Sequence, residues 1–173
     1  MKKILMALFL IVSTMMTGCG GGGGGSSTPA AAPTTAVVKL SSQGTLPPGA
    51  ALAGVGVTLE LPAGVTVKSD GGGVPDVSVV VPSGLMGGAG NAVVVAGSLS
   101  YTAATATIKA KLNFTLLSNV PGGVGVGEYA TLTLNLAGVT PAATEFTVTL
   151  FDPIDLLGNH LTVLSSHLAL ALY

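Results

Sequence analysis

The chain has no tryptophan, no arginine and one cysteine among its 173 residues, and only 8% of it is charged. Without arginine, and with seven acids against six lysines, it lacks the cationic surface that neutralises a phosphate backbone, which excludes a nucleic-acid partner. The lone Cys19 cannot close an internal disulfide. There is no Gly-x-Ser-x-Gly elbow, no pair of histidines at metal-ligand spacing and no Cys-x-x-Cys-His. The two histidines, His160 and His167, fall in a late turn and a late strand, so neither a nucleophile nor a base stands in the pattern catalysis needs. The chain reads as a non-enzyme with no catalytic residue, no cofactor and no metal.

What is abundant is apolar and small: 49% of the residues are hydrophobic, and 26 are glycine. The first block is Lys2-Lys3 followed by nine apolar residues from Ile4 to Val12 and the polar step Ser13-Thr14. A positive start and a short apolar core make an export signal, whereas a membrane-spanning helix needs about 20 predominantly apolar residues. The segment closes on Met16-Thr17-Gly18-Cys19, which resembles the lipobox of bacterial lipoproteins, with Met in the place usually held by Leu. The resemblance implies removal of residues 1–18 and acylation of Cys19 with diacylglycerol and a further chain such as palmitate, so that the bilayer itself is a partner. Two or three chains satisfy the requirement of more than one for stable anchoring. Gly20 is not the Asp that resembles an inner-membrane retention signal, so the outer membrane is the expected address, with the domain facing the periplasm or the exterior. After processing, four lysines face seven acids, a net charge of −3.

Residues 19–35 form the expected tether: six glycines, Gly20 to Gly25, lead into a Ser/Thr/Pro/Ala stretch. Sixteen such residues reach on the order of 20 to 25 Å. From Ala36 to Tyr173 the pattern changes to period two, the mark of strands with one buried face. Ile108, Ala110, Leu112, Phe114 and Leu116 fall on one face, and Lys109, Lys111, Asn113 and Thr115 on the other. Val55, Val57, Leu59 and Leu61 repeat the pattern, as do Ala130, Leu132, Leu134 and Leu136, which puts Tyr129 on the outer face. Further strands are expected at 37–40, 65–68, 77–81, 92–99 and 146–151, and a last one, in preference to a helix, around 161–172. Turn signals such as Pro47-Pro48-Gly49, Pro82-Ser83-Gly84 and Pro121-Gly122-Gly123 separate them. Short strands at this spacing indicate an all-β sandwich.

Three segments are similar to cohesin-type domains, relatives of sugar-binding β-sandwich modules. They are 37–40 with 54–67, then Gly127-Glu128-Tyr129-Ala130-Thr131-Leu132-Thr133-Leu134, then Phe151-Asp152-Pro153-Ile154-Asp155-Leu156-Leu157-Gly158-Asn159-His160. The resemblance covers about residues 36–165 and implies a two-sheet jelly-roll sandwich of about eight to nine strands that recognises a ligand without catalysis. Fold likeness does not transfer the ligand.

Two places invite chemistry. Tyr129 and Phe151, both on expected outer faces, form a candidate aromatic platform for a binding surface. Asp152, Asp155, Asn159 and His160 could ligate a cation such as Ca²⁺, although Asp and Asn at such a turn more often bond their own backbone. Gly125-Val126-Gly127-Glu128-Tyr129-Ala130 matches a dinucleotide fingerprint in letters only, because a strand follows where a helix is required. The expected function is a membrane-tethered module that recognises a protein partner. The alternatives are a carbohydrate-binding module with a polysaccharide ligand, and a structural subunit of a cell-envelope assembly whose strand edges pair laterally.

Overall fold

The computed structural model describes residues 31–70 and 73–173; the expected export signal, Cys19 and the tether up to Ala30 lie outside the described residues. Ala31–Tyr173 is a self-contained unit. Its strands are β1 (Thr35–Gln43), β2 (Leu52–Leu61), β3 (Val65–Thr66), β4 (Val80–Pro82) and β5 (Ala92–Val94). They continue as β6 (Ser100–Thr102), β7 (Ala110–Ser118), β8 (Glu128–Leu136), β9 (Thr147–Asp155) and β10 (Ser165–Leu172).

All pairings are antiparallel, and they make two five-stranded sheets. One runs β10-β1-β8, with the short β3 and β4 both on the far side of β8; the other runs β9-β2-β7, with β5 and β6 on the far side of β7. The chain alternates between sheets at β1→β2→β3 and again at β7→β8→β9→β10, the jelly-roll kind of winding, so β1 does not pair with β2 and no two successive strands from β7 to β10 pair with one another. The expected all-β sandwich is present, with ten strands among the described residues.

Alternation explains which side of each strand is buried. Val38 and Leu40 of β1 and Leu132 and Leu134 of β8 face Val55, Val57 and Leu59 of β2 and Leu112, Phe114 and Leu116 of β7, all fully or almost fully buried. The outer faces carry cross-strand polar pairs. Glu60 lies opposite Lys111, with 3.2 Å between Oε1 and Nζ, and Thr58 lies opposite Asn113, donating from Oγ1 to Oδ1 at 2.8 Å. A slip of one residue would exchange these faces, so the register is firmly set.

The strand bounds depart from the period-two reading where local hydrogen bonds compete with the ladder. Ile108, expected in the core, is 52% exposed, because a tight turn bonds Thr105 N–H to Ile108 C=O at 2.9 Å and delays β7 until Ala110. Residues 77–79 form a 3₁₀ turn instead of strand, since the Asp76 carboxylate accepts from Ser78 N–H at 2.9 Å. That bond, with help from the Ser78 hydroxyl and Lys68, holds the exposed Asp76 carboxyl down to about 2. The expected strand at 92–99 stops at Val94, where Ser98 turns back onto Val95 C=O, and Ser100–Thr102 starts a separate strand that alternation did not single out. At the start of the domain, Thr34 and Thr35 N–H both donate to Tyr173 C=O, so these two residues belong to the sandwich and not to the tether.

Gly84 locks the loop between β4 and β5. It has φ +57°, and a Cβ there would lie 2.4 Å from the carbonyl oxygen and 2.5 Å from the Cβ of Glu128 at the head of β8. Gly90 is also left-handed, at φ +81°, but open space surrounds it. Gly90→Ala should therefore cost about 1 kcal/mol of left-handed strain, and Gly84→Ala about 3 kcal/mol because overpacking adds to it. Urea unfolding of the two variants measures the difference; equal losses would contradict the close approach to Glu128.

Candidate functional site

The structure brings Tyr129 and Phe151 together, but inside the sandwich. Their rings stack with centroids 5.9 Å apart and planes 23° apart, one from each sheet. Tyr129 is only 1% exposed, which corrects the expectation that it lies on an outer face and forms a surface platform with Phe151. The cause is a β-bulge. Leu40 pairs with Ala130, whereas Ser41 pairs with Glu128, so Tyr129 is the extra residue on β8 and turns inward beside its buried neighbour Ala130. Its hydroxyl sits 3.0 Å from Ser166 Oγ on β10, which satisfies the one polar atom the ring carries inside. Phe151 is partly buried at the same seam, packed against the core.

A second bond network lies close by. Ser42 at the end of β1 is only 2% exposed, and its Oγ accepts from Gly127 N–H at 3.1 Å and donates to Gly127 C=O at 3.3 Å. This staples the loop before β8 to β1 just ahead of the bulge. Sequence reading passed over Ser42, because a serine beside another serine at a strand end carries no pattern that distinguishes it from a solvent-facing one.

The turn after β9 is capped by its own side chain, as the residue types suggest. Asp155 Oδ1 accepts from Leu157 and Asn159 N–H, both at 2.8 Å, and Oδ2 accepts from Asn159 Nδ2 at 3.0 Å. The bonds from Asn159, side chain first, hold the Asp155 carboxyl below its ordinary range. Asp152 bonds His160 Nδ1. Among the described residues, no three acidic, histidine or cysteine side chains gather as a metal cage.

This capped turn presents the most exposed apolar side chain of the pole, Leu157, at 86% exposure, with Leu156 and Val163 more than half exposed. Four connections meet there: 44–51, 83–91, 119–127 and 156–164. Leu52 and Val124 exchange two backbone bonds of 2.8 Å, Ala50 N–H closes onto Pro47 C=O, and a shallow groove runs between Gly49–Ala51 and Asp155–Leu157. Positive charge is scarce at this pole, since all four lysines of the domain lie on β1, on β7 or its lead-in, and at Lys68, whereas the acids Glu128, Asp152 and Asp155 lie at or near it. The chain enters the sandwich at the other end of β1, and the eight steps from Thr35 to Gln43 separate the two poles by about 26 Å. Two adjacent leucines in a turn were the available signal, because no alternation can bury both. No protein-family model, curated protein or solved structure matches the chain.

Burial pushes the Tyr129 phenol up from 10.0 to about 12, only partly offset by the Ser166 bond. The folded state thus keeps a proton that the unfolded chain loses near pH 10. This contribution to stability is complete below that pH and disappears as pH climbs through about 12. Denaturation midpoints measured from pH 8 to pH 12 should fall over that window, and the fall should be shallower in Tyr129→Phe, whose ring stacks without a titrating group. An identical pH profile in the two proteins would mean that the phenol titrates normally and is not buried.

Proposed function

We propose that this chain is an exported lipoprotein whose cohesin-like sandwich is a non-catalytic module that holds a protein partner near the outer membrane. The anchor part of the reading rests on sequence: the lysine start, the nine-residue apolar run and Met16-Thr17-Gly18-Cys19. The observation that carries the binding part is polarity of form. The chain enters at Thr34, and the pole about 26 Å away gathers four loops with Leu156, Leu157 and Val163 turned to solvent beside a shallow groove.

Exposed leucines of this kind cost solubility and are suited to the desolvated centre of an interface, with the Asp152, Asp155 and His160 polar groups at its rim. A protein partner is favoured over a polysaccharide because sugar-binding faces need exposed flat aromatics, and the Tyr129 and Phe151 pair is committed to the interior.

The test is site-specific photo-crosslinking in cells, with the reactive group placed at Leu157 and, as control, at Leu150, which is 52% exposed on the outer face of β9. A discrete, saturable protein adduct at 157 and none at 150 is the expected outcome. Equal, diffuse labelling at both positions would contradict a binding role for the loop pole.

A further inference from the structure

We infer that the free edge of β10 is a self-association surface, where a second copy of this chain pairs antiparallel to form one continuous sheet across a two-fold axis. The edges of the two sheets are unequal. β3, β4, β5 and β6 are two or three residues long, too short to template a partner. β9 is long but is interrupted by Pro153 and Asp152, and its ladder with β2 shifts register twice. These are the usual devices that blunt an edge. β10 has none of them. It is eight residues long, pairs with β1 without a register shift, and carries no proline, lysine or acid.

The hydrogen-bonding groups on that edge can be assigned. Thr35 and Tyr173 exchange both backbone bonds, at 3.0 and 2.9 Å, so by antiparallel alternation the odd-numbered residues of β10 bond β1. The N–H and C=O groups of Ser166, Leu168, Leu170 and Leu172 therefore point away from β1, toward an edge on which no strand pairs among the described residues.

The occupant that fits is the same strand. With the axis at Ala169, all nine residues from 165 to 173 find partners, and four residue pairs exchange bonds: Ser166 with Leu172, Leu168 with Leu170, and their symmetry mates. This register also matches faces. Leu168, Leu170 and Leu172 are only half-buried in one copy; on the core side Leu168 meets Leu170 of the other copy and Leu172 meets Ser166. On the outer side Ala169 meets Ala169 and His167 meets Ala171, with no like charges opposed. The outer patch of Val37, Ala169, Ala171 and the exposed Tyr173 is enlarged by its copy. An interface built on one strand pair is small against the roughly 1,200–2,000 Å² of stable interfaces, so the dimer is of the weak class. It leaves the loop pole of each copy uncovered and does not depend on what that pole binds.

The test uses residues 31–173, the self-contained unit that holds the whole core and contains no cysteine. Sedimentation up to about 1 mM should show a reversible monomer–dimer equilibrium. Ala169→Cys should give a disulfide-linked dimer under mild oxidation, because directly opposed non-bonded positions bring Cα atoms to about 4.5 Å. The same substitution at Thr149, on the β9 edge, should not. Ala169→Glu sits beside Lys39 in its own sheet, so it folds, but it opposes its own copy and should weaken the dimer about tenfold or more. A chain that stays monomeric throughout, or a dimer that cross-links no better through 169 than through 149, would overturn the inference.

Discussion

The structure depends on one constraint: two sheets must bury their aliphatic faces against each other in a chain with few charges and no tryptophan. Each leucine or valine taken fully out of water contributes about 1.5–3 kcal/mol, whereas an outer-face ion pair such as Lys111 with Glu60, still reached by solvent, contributes about 0.2–1 kcal/mol. Apolar burial therefore decides the register, and the polar pairs on the outer faces only tune it. The same constraint explains the exceptions. Where the apolar stripe reaches an edge strand it is half-covered, as in β10, and where a loop must turn sharply it is left in water, as at Leu156 and Leu157.

Tyr129 shows how the constraint is met when simple alternation would fail. An extra residue in β8 lets consecutive side chains, Tyr129 and Ala130, both enter the core, and Ser166 supplies the hydroxyl partner that burial demands. Ser42 and Gly127, bonded to each other, hold the ends of β1 and β8 together on the loop side of the bulge. A ring that spans from one sheet to Phe151 of the other fills the seam between β9 and β10 without needing a larger aromatic.

The long strands were legible in the sequence because period two is a direct image of burial: Val55 to Leu61 and Leu112 to Leu116 read correctly residue by residue. The stretch near Leu168 is likewise a strand and not a helix, in keeping with the alternation of Leu168, Leu170 and Leu172. What alternation cannot encode is an insertion that changes its phase, which is why Tyr129 was assigned to the wrong face. Nor can it weigh a side chain that competes for backbone groups, as Asp76 does at 77–79 and Thr105 does before Ile108. The capped turn at Asp155 was legible from residue types. The groove beside it was not, since it is made by loops 44–51 and 156–164, which only the sandwich brings together.

The two poles differ: the chain enters at Thr34, and the loops that meet solvent with leucine lie at the far end of β1. On the proposed function the sandwich would act as a spacer and a presenting scaffold, a role that requires lipid on Cys19. Intact mass analysis of the protein recovered from bacterial membranes tests that claim most directly. The account predicts a chain that lacks residues 1–18 and carries a diacylglyceryl group, with or without a further acyl chain, on Cys19. A mature protein that keeps Met1, or one that begins elsewhere with no lipid on Cys19, would contradict it.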